Sequence, residues 1–501
     1  MNAPATPPPA DADGAIGGRA AAAAEAHRAD TGGAGTGAGA SLPTLTDSAR
    51  RLTPLAWPVF VGQVSVLAFS TVDTMLVARH GALDLAALSV GAAAYITVFI
   101  GLMGVVLALS PIAGRLYGAH DLAGAGRQVH QALWIVLVLA ALGSTVLVFP
   151  HPFLWLAKAG PEVAGKVRAY LLALAFSLPA SLLFTVYRGF NTAVSRPKAV
   201  MALQIGGLAL KVPLSTLLVF GAPSLGVPSL GAVGCGIATA IVMWTQVALA
   251  LFVLRRDRFY EPFGLFGRGL DRPDPAALRT LLKLGLPMGA TILIEVTGFS
   301  FMALFIARVG TTAVAGHQIA ANLVSLMFML PMAMANATGT LVAQSIGARR
   351  NAEAVRLGWH GLALGCAMAA LLGGAVFALR EEVVRLYSPD PAVVAAALPL
   401  VAWVAVFHLA DAAQTLVAFV LRAWHIATAP MVIYAVSIWG LGLGGGYMLG
   451  FDTLGLAPRS LLGAPGFWVA ATASLVAAAL ALVALLSWTL RLREREAAGL
   501  A

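Results

Sequence analysis

The stretch LLKLGLPMGATILIEVTGFSFMALFIARVGTTAVAGHQIAANLVSLMFMLPMAMANATGTLVAQSIGAR, residues 281–349, holds two long apolar runs separated at Ala307-Arg308-Val309-Gly310. Each run exceeds the roughly 18 to 20 residues that a helix needs to cross the hydrocarbon core of a bilayer. A barrel strand would alternate polar and apolar residues, and these runs do not, so continuous helices are the remaining way to satisfy a backbone inside lipid. The rest of the chain reads the same way. It is 59% hydrophobic and 11% charged, where a soluble chain carries about 45 to 50% and about 25%.

Apolar spans run over 54–78, 86–113, 130–149, 167–188, 199–220 and 231–254, and then over 281–307, 314–345, 357–379, 392–421, 429–450 and 466–490. The fold class expected is an all-α membrane protein with twelve transmembrane helices. Basic residues outnumber acidic ones, 32 against 22, which could suggest nucleic acid as a partner. They are scattered instead through short loops, as positive-inside sorting requires. With the first span starting in the cytoplasm, the inner loops collect Arg50, Arg51, Arg115, Arg127, Arg188, Arg196, Arg349, Arg350 and Arg422, besides the basic residues of 255–283. Both termini are then cytoplasmic. Residues 1–49 are too poor in large apolar groups to bury a core, so a disordered tail is expected there. Cys235 and Cys366 lie inside apolar runs without metal-ligand spacing and are read as packing residues.

The chain repeats itself. A shift of 229 positions lays 58–119 over 287–348 without a gap, pairing Pro58 with Pro287, Arg79 with Arg308, Gly81 with Gly310, Phe99 with Phe328 and Gly118-Ala119 with Gly347-Ala348. Two halves of six spans share one orientation, so a pseudo-two-fold axis along the membrane normal relates two six-helix lobes around a cavity. The lobes expected are 50–254 and 281–490, joined by a cytoplasmic loop over 255–280 and followed by a tail over 491–501.

Four charged residues fall inside spans: Asp73, Lys211, Glu295 and Asp411. A charge at a helix centre costs about 2.5 to 3.5 kcal/mol on insertion scales, so each is a functional candidate against the plainer reading of a side chain reaching for the headgroups. Thr291 lies four residues before Glu295, and Phe407 and Thr415 flank Asp411 at four residues, which puts them on the acids' faces. A buried carboxylate without a fixed positive partner takes a proton or holds a small hard cation. Lys211 is a candidate counter-charge for Asp73 in the same half. Asn191 and Gln318 complete the set of site neighbours; for His317 and Gln318, at the start of the eighth span, packing or interhelical hydrogen bonding is weighed above substrate contact.

The Leu-Gly-Leu-Pro start at 284–287, the mid-helix Glu295 and the A-x-H-Q-I-A pattern at 315–320 resemble the seventh and eighth helices of the MATE (multidrug and toxic compound extrusion) family, NorM-like branch. Val72-Asp73-Thr74, GAVGCGIATAIVMW at 231–244 and the segment from Asp411 to Arg422 extend the resemblance to nearly everything after residue 50. It implies that Asp73 is the acidic residue of the first lobe and that Glu295 and Asp411 are the cation-binding carboxylates of the second, with Na⁺ as one candidate ion. Two positions depart from the family pattern: Phe407 stands where Tyr is common, and Lys211 where Asn is common.

The function expected is secondary active export by alternating access, in which amphipathic, often cationic drugs leave against entering Na⁺ or H⁺. The alternative is a flippase for a lipid-linked saccharide, a substrate of related two-lobed folds. No phosphate loop or nucleophile elbow occurs in a suitable context, so an enzyme is not expected. No cofactor beyond the coupling ion is expected. The other expectations are small-molecule drugs and lipids as partners, no nucleic acid, a monomer, and an inner-membrane location.

Overall fold

The computed structural model describes residues 42–157, 160–267 and 269–497 of the 501-residue chain. Among these described residues are twelve helices long and apolar enough to cross a membrane. They are α1 (Leu45–His80), α2 (Ala82–Gly118), α3 (Leu122–Val148), α4 (Pro161–Ala193), α5 (Pro197–Phe220) and α6 (Ala232–Arg256), then α7 (Pro275–Ala307), α8 (Thr311–Gly347), α9 (Asn351–Ala378), α10 (Pro391–Ala423), α11 (Thr428–Gly450) and α12 (Ala464–Arg493). The protein is thus an integral membrane protein, and every expected span falls on one helix.

The ends differ from the sequence reading, for local reasons. Residues 45–49, expected within the tail, already belong to α1, because Thr44 and Asp47 form a capping box that starts the helix early. Most of the expected tail lies outside the described residues. The last helix continues to Ala497, past the expected boundary at 490. The connection between the halves shortens to 257–274, because Asp274 caps α7 through the amide of Ala276 and Pro275 takes the first helical position. Arg188, expected in a loop, lies inside α4.

The connection is a strap bound to the first half. Tyr260 donates to Asn191 Oδ1 at 2.6 Å, and Arg196 pairs with Asp257 at 2.6 Å. His130 meets Asp271 at 2.8 Å, and Trp134 donates to the Asp271 carbonyl at 2.9 Å. Burial pushes the Tyr260 hydroxyl up to about 12.

The 229-residue repeat is visible in the backbone. Two non-glycine residues in the left-handed region, His120 (φ 60°) and Arg349 (φ 58°), end α2 and α8 at equivalent positions. Ser195 (φ 61°) and His425 (φ 60°) do the same after α4 and α10. A short helix, His151–Ala157, follows α3, and another, Arg380–Tyr387, follows α9. Packing repeats as well: α4 meets α2, α3 and α6, as α10 meets α8, α9 and α12, and α1 lies on α5 as α7 lies on α11. The two six-helix halves meet where α2 crosses α7 and α8 crosses α1.

This junction is tight toward the face that carries the strap and the start of α1, here termed the basic face. A Cβ on Gly104 would run into Gly289, and one on Gly285 into the Val105 carbonyl. At the ends of α2 and α8, a Cβ on Gly118 would run into the Gln344 backbone and one on Gly347 into the Arg115 backbone. Small residues let helices approach to backbone contact inside a membrane. Side chains then cross between the halves. Arg115 Nε donates to the Ala423 carbonyl at 2.8 Å, while Gln344 Nε2 donates to the Ala193 carbonyl at 2.7 Å and to Ser195 Oγ at 2.8 Å. Arg115 and Gln344 are equivalent under the shift of 229, and Ala193 and Ala423 under a shift of 230. Further out, Ser48 meets His360 at 2.7 Å, Arg51 pairs with Glu353 at 2.7 Å, and the Asp274 amide donates to Gln131 at 2.8 Å.

Candidate functional site

The second half brings its two intramembrane acids together. Glu295 comes from α7, and Asp411 from α10, the helix packed most centrally among its neighbours in that half. Gln414 joins them: its amide nitrogen donates to Glu295 Oε1 at 3.0 Å, to Asp411 Oδ1 at 2.8 Å and to Thr415 Oγ1 at 3.2 Å. Its own carbonyl oxygen is buried without a partner among the described residues. Neither carboxylate is in an ion pair there. Two carboxylates, a hydroxyl and a spare amide oxygen form an oxygen-only set that suits a proton or a hard monovalent cation.

The wall behind Glu295 is unusual. Residues Ala435–Gly444 of α11 wind as a π-helix, which the glycines from 440 onward permit, and π segments gather at functional sites. The wider winding carries the Trp439 indole to the Ile294 carbonyl, at 3.2 Å, one residue before Glu295. Above the acids, Phe407 packs with Phe299 and Trp468, with centroids 5.9 and 5.5 Å away, and Trp468 donates to His317 Nδ1 at 3.2 Å. Phe407 supplies no oxygen to the pair.

In the first half, Asp73 of α1 and Lys211 of α5 meet at 3.0 Å. The ammonium also donates to Thr239 Oγ1 at 2.5 Å and to the Cys235 carbonyl at 3.1 Å, both on α6, and Ser215 Oγ donates to Asp73 at 3.3 Å. Lys211 has 0% exposure. The expected counter-charge is therefore in place, held by three helices.

Other expected neighbours lie elsewhere. Thr291 gives its hydroxyl to the Pro287 carbonyl one turn back, at 2.8 Å. Asn191 is buried at the basic-face end of α4, where Tyr260 of the strap engages it, because a side chain so near the helix end meets the connecting loop and not the span's centre. Gln318 points outward and is exposed, whereas its neighbour His317 is buried. Sequence reasoning missed Gln414, although its position three residues after Asp411 on a helix was a usable signal. It also missed His408, fully buried one turn before Asp411 with both ring nitrogens unpartnered among the described residues. No group of three or more His, Cys, Asp or Glu that could hold a metal ion occurs among the described residues.

The MatE family profile matches residues 58–217 and 287–448, two segments whose starts are 229 residues apart. A probable multidrug resistance protein NorM from Aromatoleum aromaticum is 42% identical over 448 residues, which cover 89% of this chain and 95% of that protein. The multidrug resistance protein PmpM of Pseudomonas aeruginosa is 34% identical, over 89% of this chain and 93% of its own length. Among solved structures, the outward-facing conformation of a multidrug resistance MATE family transporter of the MOP superfamily aligns with a TM-score of 0.79 at 17% identity, over 89% of this chain and 96% of that one. Vibrio cholerae VcmN in the bent form aligns with a TM-score of 0.78 at 19% identity, over 89% and 98%. At such identity the structures speak for the fold, whereas the two-segment match and the sequence relatives speak for descent. The chain belongs to the MatE family, in its NorM-like branch.

Proposed function

We propose that this protein is a multidrug exporter that moves amphipathic, often cationic organic compounds out of the cell against entering Na⁺ or H⁺. It acts as a transporter and not as an enzyme, works as a monomer in the inner membrane, and keeps both termini and the basic face in the cytoplasm. The relatives' names, multidrug resistance proteins NorM and PmpM, support the substrate class. The observation that carries the coupling is the Glu295–Gln414–Asp411 bridge, with two carboxylates in one membrane-embedded site and a spare amide oxygen beside them. A coupling ion entering the site offsets negative charge there, and a cationic drug competes for the same carboxylates. The halves, 50–254 and 281–490, are the bodies that rock about their junction.

The test is drug efflux from proteoliposomes under separately imposed Na⁺ and proton gradients. Glu295→Gln and Asp411→Asn should each abolish gradient-driven efflux while the protein still inserts and folds. Efflux at the wild-type rate by both purified variants refutes the reading. Orientation is tested by a single Cys placed in the strap, which an impermeant reagent should not reach from outside intact cells.

A further inference from the structure

We propose that Asp73, Ser215, Thr239 and the Cys235 carbonyl form a binding site for a primary ammonium whose resident occupant is the chain's own Lys211, so that the first half offers no free carboxylate to the coupling ion. An ammonium has three N–H donors and no acceptor. Lys211 directs them at three acceptors from two helices, the carboxylate at 3.0 Å, the hydroxyl at 2.5 Å and the carbonyl at 3.1 Å. Its donors are therefore all used. The carboxylate's other oxygen accepts from Ser215 at 3.3 Å, so each oxygen of Asp73 already has a partner.

The two halves then differ in kind. The second holds Glu295 and Asp411 joined through a neutral amide, with neither in an ion pair among the described residues. The first holds Asp73 neutralised by a tethered cation, a copy of the bound state that never dissociates. Lys211 decides which half couples. This rests on reading the Glu295–Asp411 pair as the coupling site.

A membrane-permeant carbodiimide, which reacts with protonated carboxyl groups, tests this on the full-length protein with peptide mapping by mass spectrometry. In the wild type the Asp73 peptide should stay unmodified under conditions that modify the Glu295 and Asp411 peptides. In Lys211→Ala, modification of Asp73 should rise about tenfold or more, and n-butylammonium, but not n-butanol, should suppress it. Equal modification of Asp73 with and without Lys211, or no protection by butylammonium, overturns the proposal. Should Lys211→Ala fail to fold, Lys211→Ala combined with Asp73→Asn should fold, because the neutral pair leaves no buried charge unpaired; failure of both overturns it. Should Glu295 and Asp411 resist modification and their variants still export, the second-half reading falls, while the Asp73 comparison across the Lys211 series still stands.

Discussion

Gln414 occupies a position that neither acid could tolerate empty. Glu295 and Asp411 both accept from its amide nitrogen, so the neutral side chain bridges two carboxyl groups and supplies the donor that each buried oxygen requires. Gln414→Leu keeps the volume and removes the donor. The expected outcome is a folded protein with about 1 to 3 kcal/mol less stability, the usual cost of unsatisfied buried polar atoms, and strongly reduced efflux. A thermal unfolding midpoint and transport rate both equal to wild type would show that the bridge is incidental. The sequence made the two acids legible, because hydrocarbon makes every charge conspicuous. It hid Gln414, because a glutamine in a span is indistinguishable by composition from the polar residues that glue helices together.

At the scale of helices, the junction of α2 and α7 depends on the absence of side chains. Gly104, Gly285 and Gly289 bring the two backbones into contact. Gly104→Val would place its branched side chain against Gly289, and overpacking of this kind costs about 1 to 3 kcal/mol. On the rocking mechanism proposed above, the strain falls on the arrangement in which these glycines touch. The variant should therefore be depleted in this conformation, seen as increased reactivity of a single Cys at buried Ala343 toward a reagent applied from the basic face, with Cys235 and Cys366 replaced. Unchanged reactivity would show that the glycines are there for folding only. The spans and the repeat could be read from hydropathy and loop punctuation, since both are one-dimensional patterns. The π-helical run of α11 and the ordered strap could not, because each depends on packing between segments distant in sequence.

Across the whole molecule, the two halves are tied at the basic face by two equivalent hydrogen-bond sets, Arg115 to Ala423 and Gln344 to Ala193. A bond of this type contributes about 0.5 to 1.5 kcal/mol, more when the donor is charged, and each 1.4 kcal/mol is a factor of ten in a two-state equilibrium. Arg115→Ala with Gln344→Ala should raise the population open to the basic face by ten-fold or more on that scale. Distances between spin labels on the basic-face ends of α3 and α9 report it. An unaltered distance distribution in the double variant would remove these bonds from the closing mechanism.

The reciprocal contact of Gly118 with Gln344 and of Gly347 with Arg115 is an isologous interface, the kind that two identical subunits make across a two-fold axis. The fold has the geometry of a homodimer of six-helix chains spliced into one polypeptide by the strap. Splicing removes the obligation to be identical. A true homodimer that acquired a lysine against one acid would have silenced both of its sites at once. In a fused chain Lys211 can pair with Asp73 in one half while, among the described residues, Glu295 and Asp411 enter no ion pair in the other, so a symmetric scaffold can hold two chemically different sites.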